Sequence, residues 1–272
     1  MNPEFVNVAL LSDETTGIYE SLRAYGGILF RVEEHLERFF ESAHTLGLKI
    51  PFGRDEIRRR LKKTLADSGG KEAFIRLTLV DGEIFIVVGE RKHPPEIYKK
   101  GISLKTSTVR RNLTQALFPE AKSTSGCVNQ VLATLDPAPK NNFEILFLNG
   151  EGYIAEVRIG NIFIVDEGRL LTPPAMGLLN GVTRRFVIEC ARLGKIPVEE
   201  RPLTRHELFN AEEAFLTNTS WEILPIREVD ARKLGFTLPG PITRKLQTIF
   251  RREVRKEIRN EKNETRTHQR LR

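Results

Sequence analysis

The chain has 272 residues, which is long enough for one large or two modest domains. Of these residues 40% are hydrophobic and 29% charged, as is usual for a soluble globular protein. The net charge is +7, but residues 251–272 alone carry nine Lys or Arg against four Asp or Glu. The rest of the chain is nearly balanced, which argues against nucleic-acid binding, and no apolar run reaches the roughly 18–20 residues of a membrane helix.

The cysteine content and the first residues of the chain bear on its location. Cys127 and Cys190 give neither a metal-ligand spacing nor a disulfide framework. The opening stretch MNPEFVNVALLSDE lacks the basic and apolar regions of a signal peptide. We therefore expect a cytoplasmic protein that is not bound to membranes and has no metal site.

The N-terminal half is predicted to contain two hairpins and two helices. After a weak first strand, GIYESLRAYGGILF alternates as a hairpin does, with Gly-Gly at its turn. Helical spacing of apolar residues predicts a helix in RVEEHLERFFESAHTLGL that stops at Gly47, and a second helix follows over about 54–68. AFIRLTLVDGEIFIVVGE predicts a hairpin around Asp81-Gly82, because this pair tolerates the positive φ of a tight turn.

A polar, irregular segment then separates two predicted domains. It is followed by a helix over about 126–135, strands in NFEILFLNGEGYIAEV and NIFIVDEGRLLTPP, a helix after LNGVTRRF, a strand in EEAFLTNTSWEILPI, and a closing basic helix. This order predicts an α+β protein. Its predicted parts are an N-terminal domain 1–108, an interdomain loop 109–121, a C-terminal domain 122–254 and a charged, disordered tail 255–272.

Lys122 is the first candidate for chemistry. It lies in FPEAKSTSG among small residues, whereas most other lysines belong to charged clusters. A lysine that forms a Schiff base must lose its proton, which requires few competing charges and partial desolvation. An exposed lysine at a helix entrance would have the same neighbours in sequence, so the other motifs decide between the two interpretations.

Four further features accompany the lysine in a definite order. Arg38 lies on the first predicted helix, and Glu156 lies at a strand end beyond Lys122. LNGVTRRF is a glycine turn that opens a helix, and FLTNTSWEILPI is a strand that runs into hydroxyl residues. In this order the motifs resemble those of the fold-type IV pyridoxal-phosphate enzymes: branched-chain aminotransferases, D-amino-acid aminotransferases and aminodeoxychorismate lyases.

The resemblance extends from about Gly17 to Ile226 and implies a fold, a cofactor and an assembly. It implies two α/β domains with pyridoxal 5′-phosphate in the cleft between them, in a homodimer. KSTSGCVNQVLA and LRAYGGILFRVEEHLERFFESA are most similar to branched-chain aminotransferases.

The resemblance also implies roles for the candidate residues. Lys122 corresponds to the lysine that holds the cofactor covalently and transfers a proton. Glu156 corresponds to the carboxylate that pairs with the pyridine nitrogen and keeps it protonated. Arg38 corresponds to the arginine that binds the phosphate, since a guanidinium suits a dianion.

Other positions correspond to the rest of the cofactor and substrate site. The backbone N–H groups of Val182 and Thr183, at a helix N-terminus, are expected to complete the phosphate site. Thr219 corresponds to a phosphate-binding threonine, and Thr219 with Ser220 lies where backbone N–H groups meet the substrate carboxylate. Arg76 lies where such enzymes recognise a distal carboxylate, as of glutamate, unless it faces outward from the hairpin.

The chain departs from the family pattern at two places near the expected site. EVRIGN replaces small residues with Val157, Arg158 and Ile159, which would narrow the substrate pocket. Arg158 either adds a positive charge there or points away. Cys127 stands where branched-chain enzymes have a tyrosine, and a thiol is a poorer hydrogen-bond donor than a phenol.

The sequence therefore predicts a transaminase that exchanges an amino group between an aliphatic or branched-chain L-amino acid and a 2-oxo acid such as 2-oxoglutarate. The Arg-x-His pair of the D-amino-acid enzymes is missing after Arg76, which argues against D-specificity. The alternatives are an aminodeoxychorismate lyase-type enzyme, which shares the cofactor site, and a catalytically degenerate binding member of the family.

Overall fold

The computed structural model describes residues 17–90, 92–111, 118–124, 128–134, 143–235 and 237–270. The chain divides into two compact units. The first unit comprises residues 1–92, 121–125 and 251–272, and the second comprises residues 93–120 and 126–250. Each unit has its own sheet and its own hydrophobic core.

The first unit contains a four-stranded sheet in the order β2-β1-β3-β4, in which all neighbours are antiparallel. Gly26-Gly27 connects β1 to β2 and Asp81-Gly82 connects β3 to β4, and all four turn residues have positive φ. Both hairpins predicted from the sequence are therefore present. The strands are β1 (Ile18–Tyr25), β2 (Ile28–Leu29), β3 (Ala73–Val80) and β4 (Glu83–Gly89).

Two helices, α1 (Val32–Thr45) and α2 (Arg54–Asp67), cover this sheet. Their buried apolar residues form one core with the strands, because the helical spacing that predicts each helix also turns these residues to one face. The buried helix residues of this core are Val32, Leu36, Phe39 and Ala43 of α1 and Ile57, Leu61 and Leu65 of α2. The fold of the first unit thus follows closely from its sequence pattern.

The second unit contains a nine-stranded mixed sheet in the order β10-β9-β8-β11-β12-β5-β6-β7, with β13 also paired to β12. The pairs β9–β10, β5–β12 and β5–β6 are parallel, and the other pairs are antiparallel. The strands are β5 (Ile102–Thr106), β6 (Phe143–Leu148), β7 (Ile154–Val157), β8 (Asn161–Asp166), β9 (Arg169–Thr172), β10 (Val198–Glu200), β11 (Glu213–Asn218), β12 (Glu222–Val229) and β13 (Arg232–Lys233).

The first strand of this sheet lies outside the predicted C-terminal domain. Residues up to 108 are predicted to belong to the N-terminal domain, whereas β5 pairs with β6 and β12 and belongs to the second unit. A parallel strand can pair with segments far away in sequence, so its local pattern does not indicate which sheet it joins.

The remaining helices are α3 (Pro95–Lys100), α4 (Val128–Thr134), α5 (Val182–Leu193), α6 (Arg205–Asn210) and α7 (Pro241–Arg270). The last helix is longer than the sequence analysis expects. Residues 255–270, for which a disordered tail is predicted, are helical. Glu257 pairs with Arg31 of the first unit and Glu261 pairs with Lys62, and these contacts hold the segment although few of its residues are apolar. In the described part of the chain, no helix is both long and apolar enough to cross a membrane.

Candidate active site

The short segment 121–124 of the first unit carries Lys122 and is bonded to the start of β1. Ile18 and Ser123 form an antiparallel bridge, and the backbone N–H of Tyr19 donates to the carbonyl of Lys122 at 3.1 Å. The Thr124 hydroxyl accepts from the N–H of Gly17 at 2.9 Å. The lysine therefore lies on a segment that is hydrogen-bonded to β1.

The side chains of Lys122 and Arg76 both lie against the ring of Tyr19. The Nζ of Lys122 lies 4.6 Å from the ring centroid, and the guanidinium carbon of Arg76 lies 4.4 Å from it. The Nε and Nη1 atoms of Arg76 are buried and have no hydrogen-bond acceptor among the described residues. Buried guanidinium N–H groups without acceptors are costly, and an anion bound there would satisfy them. The structure thus brings Lys122 and Arg76, both predicted site residues, to one aromatic ring.

Arg38, on α1, is fixed by the carboxylate of Glu20 on β1. Its Nε donates to Oε1 of Glu20 at 2.6 Å and its Nη2 donates to Oε2 at 2.9 Å, and both residues are buried. The Nδ1 of His35 contacts Oε2 of the same carboxylate at 2.8 Å. A bidentate contact of this kind fixes the plane of the guanidinium.

Two members of the buried cluster of Glu20, His35 and Arg38 have shifted pKa values, namely Glu20 and His35. Burial by itself would raise the pKa of Glu20, but the charge of Arg38 and the contacts with His35 and Arg38 lower it well below its usual value. Burial lowers the pKa of His35; the Glu20 charge opposes this shift, and the charges of Arg38 and Lys122 add to it. The arrangement therefore favours a negative Glu20, and a neutral His35 whose Nδ1–H donates to it.

In the second unit, Glu156 lies on β7 and is buried beside Arg111. The Nε of Arg111 lies 2.6 Å from Oε1 of Glu156, and both side chains are over nine-tenths buried. The backbone N–H of Arg111 donates to the carbonyl of Leu148 at 2.8 Å, which ties this arginine to the end of β6. The ion pair gives each of these buried charged groups a partner.

The N-terminus of α5 is the second place suited to an anion. Its N-cap is Gly181, and no side chain of the described residues accepts a hydrogen bond at this cap. Val182 and Thr183 are buried at its first turn, where backbone N–H groups have no partner within the helix. A Cβ at position 181 would collide with the Asn161 side chain, which would then have to move. This end of the helix can receive a phosphate.

Thr219 and Ser220 form the turn between β11 and β12. The Asn218 side-chain oxygen accepts from the backbone N–H groups of Ser220, at 2.9 Å, and Trp221, at 2.7 Å. The Ser220 hydroxyl contacts Nε2 of His93 at 2.8 Å. The N–H group of Ser220, which the sequence analysis expects to meet a substrate carboxylate, is thus bonded within the protein.

Arg158 follows β7 and is paired with a carboxylate on β6. Its Nε and Nη2 contact the two carboxylate oxygens of Glu144 at 3.2 and 3.0 Å, and a third of its side chain is exposed. Of the two orientations considered for Arg158, this pairing corresponds to a guanidinium directed toward a neighbouring strand. Cys127, the other departure from the family pattern, lies outside the described residues.

Sequence reasoning missed His35, Ser42 and Arg111. His35 and Ser42 lie three residues before and four residues after Arg38, which places them on the same face of α1. That spacing was an available signal. Arg111 stands beside Arg110 in the predicted interdomain loop, and nothing in a single sequence distinguishes the two.

Solved structures of similar fold include aminotransferases with cofactor or amino-acid ligands. The T.th. branched-chain amino acid aminotransferase with pyridoxamine 5′-phosphate has a TM-score of 0.82 and 28% identity, covering 88% of this chain and 85% of its own. The same enzyme complexed with N-(5′-phosphopyridoxyl)-L-glutamate also has a TM-score of 0.82 and 28% identity, covering 88% and 84%. The fold is that of the fold-type IV enzymes, which confirms the predicted fold class.

The sequence comparisons agree with the fold. The branched-chain-amino-acid aminotransferase of Pseudomonas aeruginosa is 32% identical over 253 residues, which is 86% of this chain and 82% of that protein. The family model of class IV amino-transferases matches residues 17–229. The chain belongs to the class IV aminotransferase family, and the predicted resemblance is confirmed.

Proposed function

We propose that this aminotransferase exchanges an amino group between an aliphatic L-amino acid and 2-oxoglutarate, with pyridoxal 5′-phosphate bound at Lys122. The observation that carries the proposal is the Tyr19 ring with Lys122 on it and, beside it, the two buried nitrogens of Arg76 that lack acceptors. An amine that can bond an aldehyde and a guanidinium that can bind a second carboxylate are the two groups that such an exchange requires.

The residues present fit the proposed cofactor. Arg38 is held rigidly by Glu20, and the uncapped N-terminus of α5 offers backbone donors, so each can bind a phosphate. Glu156 is a buried carboxylate held by Arg111, and a carboxylate is the group that pairs with a protonated pyridine. When bound, the cofactor supplies an aldehyde that condenses with an amine and a ring that accepts electrons from the substrate Cα.

Lys122 and Glu156 are proposed to act at different atoms, Lys122 at the substrate Cα and Glu156 at the ring nitrogen. The Nζ of Lys122 takes the proton from the substrate Cα and returns it, which requires the neutral amine. Glu156, which is paired with Arg111, would accept a hydrogen bond from the protonated ring nitrogen of the bound cofactor.

The substrate carboxylates are assigned to Thr219 and Arg76. Because the N–H of Ser220 is bonded to Asn218, we propose that Thr219 is the main residue of this turn for the α-carboxylate, with Ser220 supporting it. Arg76 is proposed to bind the distal carboxylate of the dicarboxylic partner. Arg158 is less suitable for this role, since its guanidinium is paired with Glu144.

The test combines identification of the lysine with a panel of substrates. Borohydride reduction of the protein with pyridoxal phosphate, followed by peptide mapping, should place the pyridoxyl group on Lys122, and Lys122→Ala should lose both the label and turnover. Mass spectrometry of mixtures of amino donors and oxo acids should detect transfer from at least one aliphatic L-amino acid to 2-oxoglutarate. A label on another lysine, or release of pyruvate from aminodeoxychorismate without any transamination, would contradict the proposal.

We also propose that the enzyme is a cytoplasmic homodimer. What supports an interface is the edge strand β4, where Phe85 is 48% and Val87 is 44% exposed, an apolar surface that a second copy would cover. Light scattering at several concentrations should give twice the chain mass of 31.1 kDa. A mass of one chain at all concentrations would contradict the dimer.

A further inference from the structure

One face of helix α1 carries three buried polar residues. His35, Arg38 and Ser42 are spaced by three and four positions, so they lie on the same side of the helix. Their exposed fractions are 3%, 7% and 2%. His35 and Arg38 are explained by their contacts with Glu20, whereas Ser42 contacts a different segment.

The Ser42 hydroxyl accepts a hydrogen bond from the backbone N–H of Lys122 at 3.0 Å. On the other side of this residue, the Lys122 carbonyl accepts from the N–H of Tyr19 at 3.1 Å. Both backbone polar groups of Lys122 are therefore hydrogen-bonded to the first unit, one to α1 and one to β1. This fixes the direction in which its side chain leaves the backbone.

The same two elements also fix Arg38. Arg38 lies one helical turn before Ser42, and its partner Glu20 immediately follows Tyr19 on β1. The packing of α1 on β1, through core residues such as Leu36 and Leu22, thus sets both the position of the guanidinium and that of the lysine backbone. A ligand bonded to the amine and gripped at its phosphate needs these two positions at a constant separation.

We propose that Ser42 is a positioning residue for Lys122, which fixes the amine relative to the phosphate-binding Arg38. This inference rests on the proposed function, because it assumes that pyridoxal phosphate bonds to Lys122. Attachment consumes the neutral amine and the aldehyde and releases one water, and it requires no other reactant. Ser42 contacts the lysine segment and would not contact the cofactor phosphate. Its removal should therefore weaken the covalent attachment of the cofactor to Lys122 and leave phosphate binding unchanged.

The experiment compares two ligands that differ in their ability to bond the lysine. Pyridoxal 5′-phosphate has the aldehyde, whereas pyridoxamine 5′-phosphate carries the same ring and phosphate but cannot bond to an amine. Titrations of the cofactor-free protein follow visible absorbance and borohydride-trapped label for the first ligand, and tryptophan fluorescence for the second. Ser42→Ala is compared with Ser42→Thr, which keeps the hydroxyl, and with Arg38→Ala. Ser68→Ala, which removes a hydroxyl at the end of α2, is the control.

We expect Ser42→Ala to weaken pyridoxal phosphate binding roughly fivefold, the effect of one lost hydrogen bond, and to leave pyridoxamine phosphate binding within about twofold of the wild type. Ser42→Thr should restore most of the difference, and Arg38→Ala should weaken both ligands. If melting curves show that Ser42→Ala is unfolded, Ser42→Cys, of similar volume and with a weak acceptor, takes its place.

Equal binding of pyridoxal phosphate by Ser42→Ala and the wild type would overturn the positioning role. Equal weakening of both ligands would also overturn it, because Ser42 would then act on the whole site. If the wild type itself shows no label on Lys122, the proposed function fails, and this inference fails with it. The wild-type titration therefore separates the two failures.

Discussion

At the scale of single residues, the Glu20 carboxylate organises the first unit. It is fully buried, it receives two hydrogen bonds from Arg38 and it contacts His35. Three charged or polar groups buried together are tolerated only when each finds a partner. Removal of one member leaves the others unsatisfied, so this cluster should respond to pH and to substitution more than any surface ion pair.

Because the pKa values of His35 and Glu20 are lowered by folding, we predict that the free energy of unfolding decreases in two stages as the pH is lowered. Below the usual histidine value of 6.5 the unfolded chain binds a proton that folded His35 does not, so stability declines there. Below the usual glutamate value of 4.5, Glu20 adds to the decline in the same way. Each proton contributes at most about 1.4 kcal/mol per pH unit.

The variant His35→Gln should therefore show a shallower loss of stability between pH 7 and pH 5 than the wild type. His44→Gln is the control, because His44 is an exposed residue of the same helix. Urea unfolding at several pH values measures the slopes. Parallel slopes for His35→Gln and wild type would show that His35 does not contribute in this way.

A comparison of Arg76 with Arg158 tests which arginine binds the distal carboxylate of the substrate, because the two side chains have different surroundings. Arg76→Ala should raise the KM for 2-oxoglutarate about 10- to 100-fold, as expected for a lost charge-assisted bond, and change the KM for an aliphatic amino acid little. Arg158→Ala, the matched control, should affect both substrates alike, since it loses only its pair with Glu144. The opposite pattern in steady-state kinetics would transfer the distal-carboxylate role to Arg158.

At the scale of secondary-structure elements, the beginning of α7 depends on one buried carboxylate. Both oxygens of Glu213, on β11, accept backbone N–H bonds from the first helical turn, at 2.8 Å from Ile242 and 2.7 Å from Thr243. A negative group at a helix N-terminus also interacts favourably with the helix dipole. A Cβ on Gly240 would collide with this carboxylate, so the glycine permits the contact.

Glu213→Ala should lower the free energy of unfolding by about 1–2 kcal/mol, because it removes the only side-chain acceptor seen at this helix start among the described residues. Glu212→Ala changes an exposed neighbour on the same segment and should be nearly neutral. Thermal and urea unfolding compare the two variants. An equal loss in both would mean that the carboxylate does not stabilise the helix.

The elements also show where sequence pattern is sufficient and where it is not. The Asp81-Gly82 and Gly26-Gly27 turns and helix α1 are encoded in adjacent residues, so they are predicted correctly. Strand β5 joins a sheet whose other members follow much later in the chain. Residues 255–270 were expected to be disordered for lack of apolar residues, but their helix has ion-pair partners, Arg31 and Lys62, that are distant in sequence.

At the scale of the whole molecule, the C-terminal helix contributes to the first unit through charge. Removal of residues 255–272 should cost up to about 1 kcal/mol more than removal of residues 263–272 for each lost ion pair, with Arg31 and with Lys62. This difference should shrink at high salt. Both truncated proteins should keep cofactor and activity. Equal stability of the two in low-salt urea unfolding would show that these pairs contribute nothing.

The family of the molecule could be predicted from sequence, but the details of its site could not. Lys122 stood out because its neighbours are small, and Glu156 and Arg38 because they follow the family order; their roles remain predictions. Arg111 contacts Glu156, 45 positions away, and Ser42 contacts Lys122, 80 positions away. The spacing of Ser42 on α1 indicates which face of the helix it occupies, but no local pattern indicates either of these distant partners. The bond between Asn218 and Ser220 was missed because Asn218 has no place in the motif.

The division of the first unit into separated stretches has a consequence for the order in which the protein is made. Thr124, which anchors the lysine segment, lies 107 positions after Gly17, and Glu257 lies 226 positions after Arg31. Synthesis proceeds from the N-terminus, so all of residues 126–250 leave the ribosome before the last partners of α1 are available. The unit that carries Lys122 is begun first and completed last.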